Sequence, residues 1–174
     1  MQAVGAGGTR ARKPLYTTEE RRRRDASPWT LVQGVLAPVQ FLVFLVSLGL
    51  VLRYLATAEG HDAAAASVVV KTLTLYAIMI TGSIWEKVVF GRYLFAPAFY
   101  WEDVFSMLVL ALHTAYLVAL STGALGARQQ MYLALAAYAA YAINATQFVL
   151  KLRAARLDQA RDPAAPGAAA EAAA

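Results

Sequence analysis

The chain has 174 residues, one domain's worth, and at 59% hydrophobic residues with a mean hydropathy of +0.48 it is too apolar for an ordinary soluble domain. It has no cysteine, which excludes a disulfide framework, a thiolate nucleophile and a thiolate metal site. The net charge of +5 sits largely in Arg10, Arg12, Lys13 and Arg21 to Arg24, directly before an apolar run, so it reads as a topology signal and nucleic acid is not expected as a partner.

Residues 1–25 read as a basic, largely disordered segment. Four runs nearly free of Asp, Glu, Lys and Arg follow. The first, from Ala26 to Leu52, is too long and uniform for a cleavable signal and reads as a signal anchor closed by Arg53. The second, Ala63 to Trp85, is broken only by Lys71, whose stem can snorkel to the interface. The third is Val104 to Ala127 and the fourth Gln129 to Leu150. Each reaches the roughly 20 residues that cross a hydrocarbon core, and backbone satisfaction in lipid leaves helix as the conformation. The expected fold is therefore all-α, an integral membrane four-helix bundle over 26–157 with spans at about 29–53, 66–86, 104–123 and 129–152. The remainder, 158–174, reads as a disordered Ala/Pro-rich tail.

Both ends of this domain are basic, with Lys151, Arg153 and Arg156 after the last span, so both termini are expected in the cytoplasm. Trp29, Trp85 and Trp101 then fall at one membrane face, like an aromatic belt. The outer links, around Ala56 to Ala66 and Ser121 to Arg128, are short. The inner link, Glu86 to Asp103, is long and chemically rich.

That link interleaves Glu86, Lys87, Arg92, Glu102 and Asp103 with Phe90, Tyr93, Phe95, Phe99, Tyr100 and Trp101. Rings to stack on, cations for a carboxylate and acids for proton transfer suit a flat amphipathic ligand; an interfacial segment whose charges only solvate helix ends is the plainer alternative. In the third span Glu102, Ser106, His113 and Tyr116 share a face, which puts His113 near mid-membrane. It can ligate a metal in a planar macrocycle, donate a proton, or hydrogen-bond another helix. The fourth span aligns Tyr141, Asn144, Phe148 and Lys151, and the first aligns Gln33 and Gln40 about a kink at Pro38. Amides there read as glue between helices, and Gly34, Gly49 and Gly82 as close-packing positions.

The segments "KPLYTTEERRRRDASPWTLVQGVLAPVQFLVFLVSLGLVLRYLAT", "TGSIWEKVVFGRYLFAPAFYWEDVFSMLVLALHTAYL" and "YAINATQFVLKLR" resemble the 3-vinyl bacteriochlorophyllide hydratase family of anoxygenic phototrophic bacteria, from about Pro14 to Arg156. The resemblance implies a hydro-lyase that adds water to the 3-vinyl group of chlorophyllide a or its bacteriochlorin relative, giving a 1-hydroxyethyl group on the route to bacteriochlorophyll. It implies a multi-pass protein of the bacterial inner, intracytoplasmic photosynthetic membrane. The partners expected are a chlorophyllide-type tetrapyrrole, membrane lipid, and a second copy of the chain or other pigment-biosynthesis enzymes. No cofactor is expected, since adding water changes no electron count and magnesium travels with the macrocycle.

Vinyl hydration starts with protonation of the terminal carbon, followed by water adding to a cation that the ring delocalises. That requires a protonated acid in a dry pocket, a group to take a proton from water, and negative charge near the cation. Glu86 or Glu102 is the expected acid, with Asp103 or His113 handling water; Glu102 and Asp103, adjacent in sequence, can be set apart by unequal burial. Arg92 or Lys87 is expected to hold the propionate, and Tyr93, Phe99, Trp101, Tyr116, Tyr141 and Asn144 to line the substrate site. The chief competitor is a carrier or assembly protein that binds a tetrapyrrole without changing it. It would use the same aromatic link and a ligating His113, and would be indifferent to loss of the carboxylates. A small transporter fits less well, because the spans hold no acids and only Pro38 offers a break.

Overall fold

The computed structural model describes residues 15–160, and among these the chain forms five helices and no strand. Helix α1 (Thr18–Ala26) starts with a capping box in which Thr17 Oγ1 accepts from the Glu20 amide and the Glu20 carboxylate accepts from the Thr17 amide. The expected disorder up to residue 25 therefore gives way to structure from residue 15. The physical reason is this cap together with Tyr16, which is buried. Ser27 then ends α1 and caps α2 (Pro28–Thr57), its Oγ accepting from the Trp29 amide ahead of a first-turn proline. The tail expected to be disordered from residue 158 is still helical through Ala160, where the last helix carries on past its apolar run; the remaining expected disorder, at residues 1–14 and 161–174, lies outside the described residues.

Helix α2 continues through Pro38. The outer turn into α3 (His61–Phe90) is only residues 58–60, shorter than expected, and it reverses direction through left-handed backbone at Ala58 and Gly60. Helix α4 (Tyr100–Thr122) ends at Gly123, also left-handed, and α5 (Ala127–Ala160) runs back to the starting face. Helices α2 to α5 are each long and apolar enough to cross a membrane. Thirty residues span about 45 Å against a hydrocarbon core of about 30 Å, so α2 and α3 have length to spare beyond it. The inner link accordingly shortens to residues 91–99, with Glu86 and Lys87 inside α3 and Glu102 and Asp103 inside α4.

Polar pairs fasten the bundle. Gln33 Nε2 donates to Thr81 Oγ1 at 2.7 Å and Ser47 Oγ meets Ser67 Oγ at 2.7 Å, which sets α2 antiparallel to α3. The same Ser47 hydroxyl bonds the Tyr138 hydroxyl at 2.5 Å, tying α2 to α5. Tyr76 and Thr114 join α3 to α4, and Asn144 donates to Ser106 to join α5 to α4. Between these pairs lie Val51, Val68, Val109, Met131 and Ala134, all fully buried, with small residues of α5 letting backbones approach. Leu42, Val46 and Ile80 face outward, as lipid contact requires.

Two expectations are corrected. Lys71 does not reach an interface: it is fully buried, because its position on α3 points inward and its ammonium lies 3.6 Å from the Tyr141 ring centre. Gly34 and Gly49 are not close-packing positions, since a Cβ at either would meet open space; Gly82 alone of the three abuts a neighbour, the Gln33 amide.

The Ser47 hydroxyl serves two helices at once. Ser47→Ala is expected to cost about 1 kcal/mol and lower the thermal midpoint in detergent by about 2–4 °C, measured by tryptophan fluorescence. An unchanged midpoint would mean these hydroxyl contacts carry no net stability.

Candidate active site

Helix α3 stops at Gly91, whose left-handed backbone (φ +83°) turns the chain while its amide bonds the Lys87 carbonyl. Lys87 Nζ donates to the Gly91 carbonyl and so secures the same corner. Four residues on, Phe95 adopts φ +58°, a left-handed conformation that costs a bulky L-residue about 1–2 kcal/mol. The strain has a local return. The Phe95 amide donates to Asp103 Oδ2 at 2.7 Å, and the next amide, Ala96, donates to Glu86 Oε2 at 3.3 Å. One strained turn thus aims consecutive N–H groups at carboxyl groups from two different helices.

Glu86 and Asp103 are 5% and 3% exposed, and their carboxyl groups lie within hydrogen-bond reach of each other. Two carboxylates offer only acceptors, so that bond needs a proton held between them. Their helical settings differ. Asp103 lies in the first turn of α4, where free amides and the helix dipole favour negative charge; Glu86 lies near the C-terminal end of α3, where they do not. The result is a dry, asymmetric carboxyl pair at one end of the bundle.

Glu102 turns the other way. Its side chain leaves α4 about 100° from that of Asp103 and meets Lys151 Nζ of α5 at 2.5 Å. The two neighbouring acids thus part as helix geometry requires: Asp103 joins Glu86 and Glu102 joins Lys151. Lys151 Nζ also lies 5.1 Å from the Phe99 ring centre.

Phe99 precedes α4 and is 2% exposed, at the centre of an aromatic cluster. Phe148 stacks on it at 5.8 Å, Trp85 and Phe90 meet it edge-on, and Tyr16 leans over it at 6.4 Å while stacking on Phe90 at 5.7 Å. Trp85 Nε1 donates to Thr30 Oγ1, which donates to the Arg24 carbonyl, and the Arg24 guanidinium covers the Tyr16 ring. Burial raises the Tyr16 phenol above its ordinary value, against the opposing pull of Arg24. Helix α1 is thereby fastened over the site.

The other expected site residues separate into two groups. Lys87, Arg92, Tyr93 and Trp101 are at the surface, Trp101 being 71% exposed. With Phe95 and Tyr100 they form an outward aromatic shelf, the Phe95–Tyr100 and Tyr100–Trp101 rings 5.8 and 5.4 Å apart. His113, Tyr116 and Tyr141 lie in the bundle interior; His113 is ten residues, about 15 Å of helix, from Asp103 and does not join the carboxyl pair. Asn144 stands between, bonded to Ser106. A groove of about 350 Å³ is lined by Arg23, Ala26, Ser27, Pro28, Trp29 and Val88. Val88 is about 200° around α3 from Glu86, so this groove faces away from the pair. Sequence reasoning missed the Phe95 and Ala96 amides and the role of Tyr16, because neither a backbone donor nor a stacking partner from a distant segment leaves a mark in residue spacing.

Residues 16–154 match the family model described as 2-vinyl bacteriochlorophyllide hydratase. The chain is similar to the 2-vinyl bacteriochlorophyllide hydratase of Rhodobacter capsulatus, 66% identical over 154 residues that cover 88% of this chain and 90% of that protein. It is 70% identical to the protein of the same name from Cereibacter sphaeroides over 144 residues, covering 83% and 89%. No solved structure matches it.

The Glu102–Lys151 pair can be weighed by a double-mutant cycle. Lys151→Met leaves a largely buried carboxylate without its partner and is expected to cost roughly 1–3 kcal/mol, whereas Lys151→Met combined with Glu102→Gln should recover most of that loss. Denaturant titration in detergent measures both, and strictly additive costs would mean the two side chains are not coupled.

Proposed function

Because this chain belongs to the 2-vinyl bacteriochlorophyllide hydratase family, we propose that its Glu86–Asp103 pair carries out the hydration of the vinyl group in bacteriochlorophyll synthesis. The vinyl carbon numbered 2 in that name is carbon 3 of the macrocycle in current numbering. The observation that carries the assignment to these residues is the buried carboxyl pair itself, held by the Phe95 and Ala96 amides.

The reaction converts a vinyl group and water into a 1-hydroxyethyl group. Glu86 is the general acid and gives its proton to the terminal vinyl carbon, as the carbon–carbon π bond breaks. Positive charge develops on the carbon attached to the ring and spreads into the macrocycle, with ionised Asp103 as the nearby negative charge. Water adds to that carbon and its proton returns to the pair. One proton leaves the pair and one comes back, so no redox cofactor is called for, and magnesium enters with the substrate. Glu102, neutralised by Lys151, is a positioning residue that holds α4 against α5.

The macrocycle is flat and apolar, so it approaches from the lipid side onto the shelf of Tyr93, Phe95, Tyr100 and Trp101. Arg92 and Lys87 lie at that edge, where a propionate can stay near the headgroups. Phe95 connects shelf and pair: its ring belongs to one and its amide to the other. Both ends of the bundle are basic and meet at this face, with Tyr16 packed on Phe99 and Phe148 stacked on the same ring. The basic ends support cytoplasmic termini, and the bacteriochlorophyllide hydratase relatives support a bacterial inner, photosynthetic membrane, where other pigment enzymes can take up a greasy product and a second copy of the chain can pair with this one.

Glu86→Gln and Asp103→Asn are each expected to lower turnover at least 100-fold, with vinyl pigment accumulating in cells, while Glu102→Gln should stay within about tenfold of wild type. Purified protein given chlorophyllide in ¹⁸O-labelled water should place label in the hydroxyethyl group. Near-normal hydration by both Glu86→Gln and Asp103→Asn would remove the pair from the mechanism.

A further inference from the structure

Among the described residues, four buried polar atoms from three helices have no hydrogen-bond partner in the middle of the bundle: Gln40 Nε2, Lys71 Nζ, His113 Nε2 and Tyr116 Oη. Their side chains belong to one packed region. Lys71 sits on the Tyr141 ring, and Phe44 touches both Tyr141 and Tyr138, at 4.9 and 5.5 Å. The His113 ring is 5.9 Å from Tyr138, and Lys71 is near enough to act on it electrostatically. Gln40 is one turn of α2 from Phe44, and Tyr116 is one turn of α4 from His113.

Their hydrogen-bonding roles are complementary. His113 Nδ1 is 2.8 Å from the Val109 carbonyl, which only accepts, so Nδ1 carries the hydrogen and Nε2 of the neutral ring presents a lone pair. Lys71 and Gln40 offer donors, and Tyr116 can act either way. An unmet buried donor or acceptor costs about 1–3 kcal/mol, and lipid offers no relief. Rotation cannot pair them among themselves while the Lys71 ammonium is on Tyr141 and His113 is tied to Val109. Water, which both donates and accepts, is the small ligand whose chemistry matches this mixture of donors and acceptors.

We propose that the centre of the bundle is a water-binding site framed by Gln40, Lys71, His113 and Tyr116. It has a polar continuation toward the carboxyl pair. Asn144 is one turn of α5 from Tyr141, its Oδ1 is also unpartnered, and its Nδ2 bonds Ser106 Oγ, which is one turn of α4 from Asp103. The core site follows from the interior geometry alone; only its supply of water or protons to Glu86 and Asp103 rests on the hydratase assignment.

X-ray hydroxyl-radical labelling of the intact protein in lipid nanodiscs and ¹⁸O water, read by mass spectrometry, tests it directly, because radicals form from bound water inside a protein. His113, Tyr116 and Tyr141 are expected to be oxidised, and Met131, fully buried among apolar neighbours, is expected to be spared. No labelling at the three residues while exposed Trp101 reacts would overturn the site, as would Met131 labelling alongside them, which marks general opening. Lys71→Met should cut labelling of Tyr141 at least threefold; unchanged labelling in that variant also overturns it, and if the variant does not fold the wild-type pattern decides. Since labelling reads water and pigment conversion reads the carboxyl pair, failure of one is distinguishable from failure of the other.

Discussion

Adjacent backbone amides of Phe95 and Ala96 hold carboxyl groups from the end of one helix and the start of the next, and this end of the bundle is arranged around that grip. It holds residues 91–99 as a fixed turn against α3 and α4. It also sets Glu86 and Asp103 close enough to share a proton in a place that bulk water does not reach. A left-handed Phe95 is tolerated because releasing it would strip both carboxyl groups of a donor, at a cost of the same order as the strain or greater. The geometry resembles the logic by which paired acids elsewhere come to hold unequal roles: close approach forbids two charges, and different surroundings decide which group keeps the proton.

The aromatic cluster closes this arrangement off at the end of the bundle. Phe99 immediately precedes α4 and is clamped between Phe148 from α5 and Tyr16 from the N-terminal segment. Helix α1 is only nine residues long, too short to be stable alone, so its place depends on the Tyr16 stack and on the Trp85–Thr30–Arg24 hydrogen bonds. Inside and outside aromatics thereby serve different ends. Phe90, Phe99 and Trp85 close the interior, whereas Tyr93, Tyr100 and Trp101 present flat rings outward.

Polar groups in the rest of the bundle follow the rule that lipid cannot satisfy them. Gln33, Ser47, Ser67, Thr81, Ser106 and Tyr138 find partners across helix boundaries and specify which faces meet. Gln40 Nε2, Lys71 Nζ, His113 Nε2 and Tyr116 Oη find no hydrogen-bond partner among the described residues. Placing a lysine with no acid beside it at mid-bundle is expensive, and contact with the Tyr141 ring offsets only part of that cost.

Long uninterrupted apolar runs were enough to reveal four helices, because in hydrocarbon no other open-chain conformation satisfies its backbone. Helix periodicity likewise put Glu102 and Asp103 on different sides of α4, and put His113 far from both. What spacing along one helix cannot contain is the partner supplied by another. That Asp103 faces Glu86, that Glu102 is spent on Lys151, and that Lys71 turns inward are consequences of how α3, α4 and α5 are rotated about their axes, which packing decides. The turn at Phe95 was hidden for a second reason. Its contribution is a pair of N–H groups that every residue but proline possesses, so only the folded backbone shows where they point.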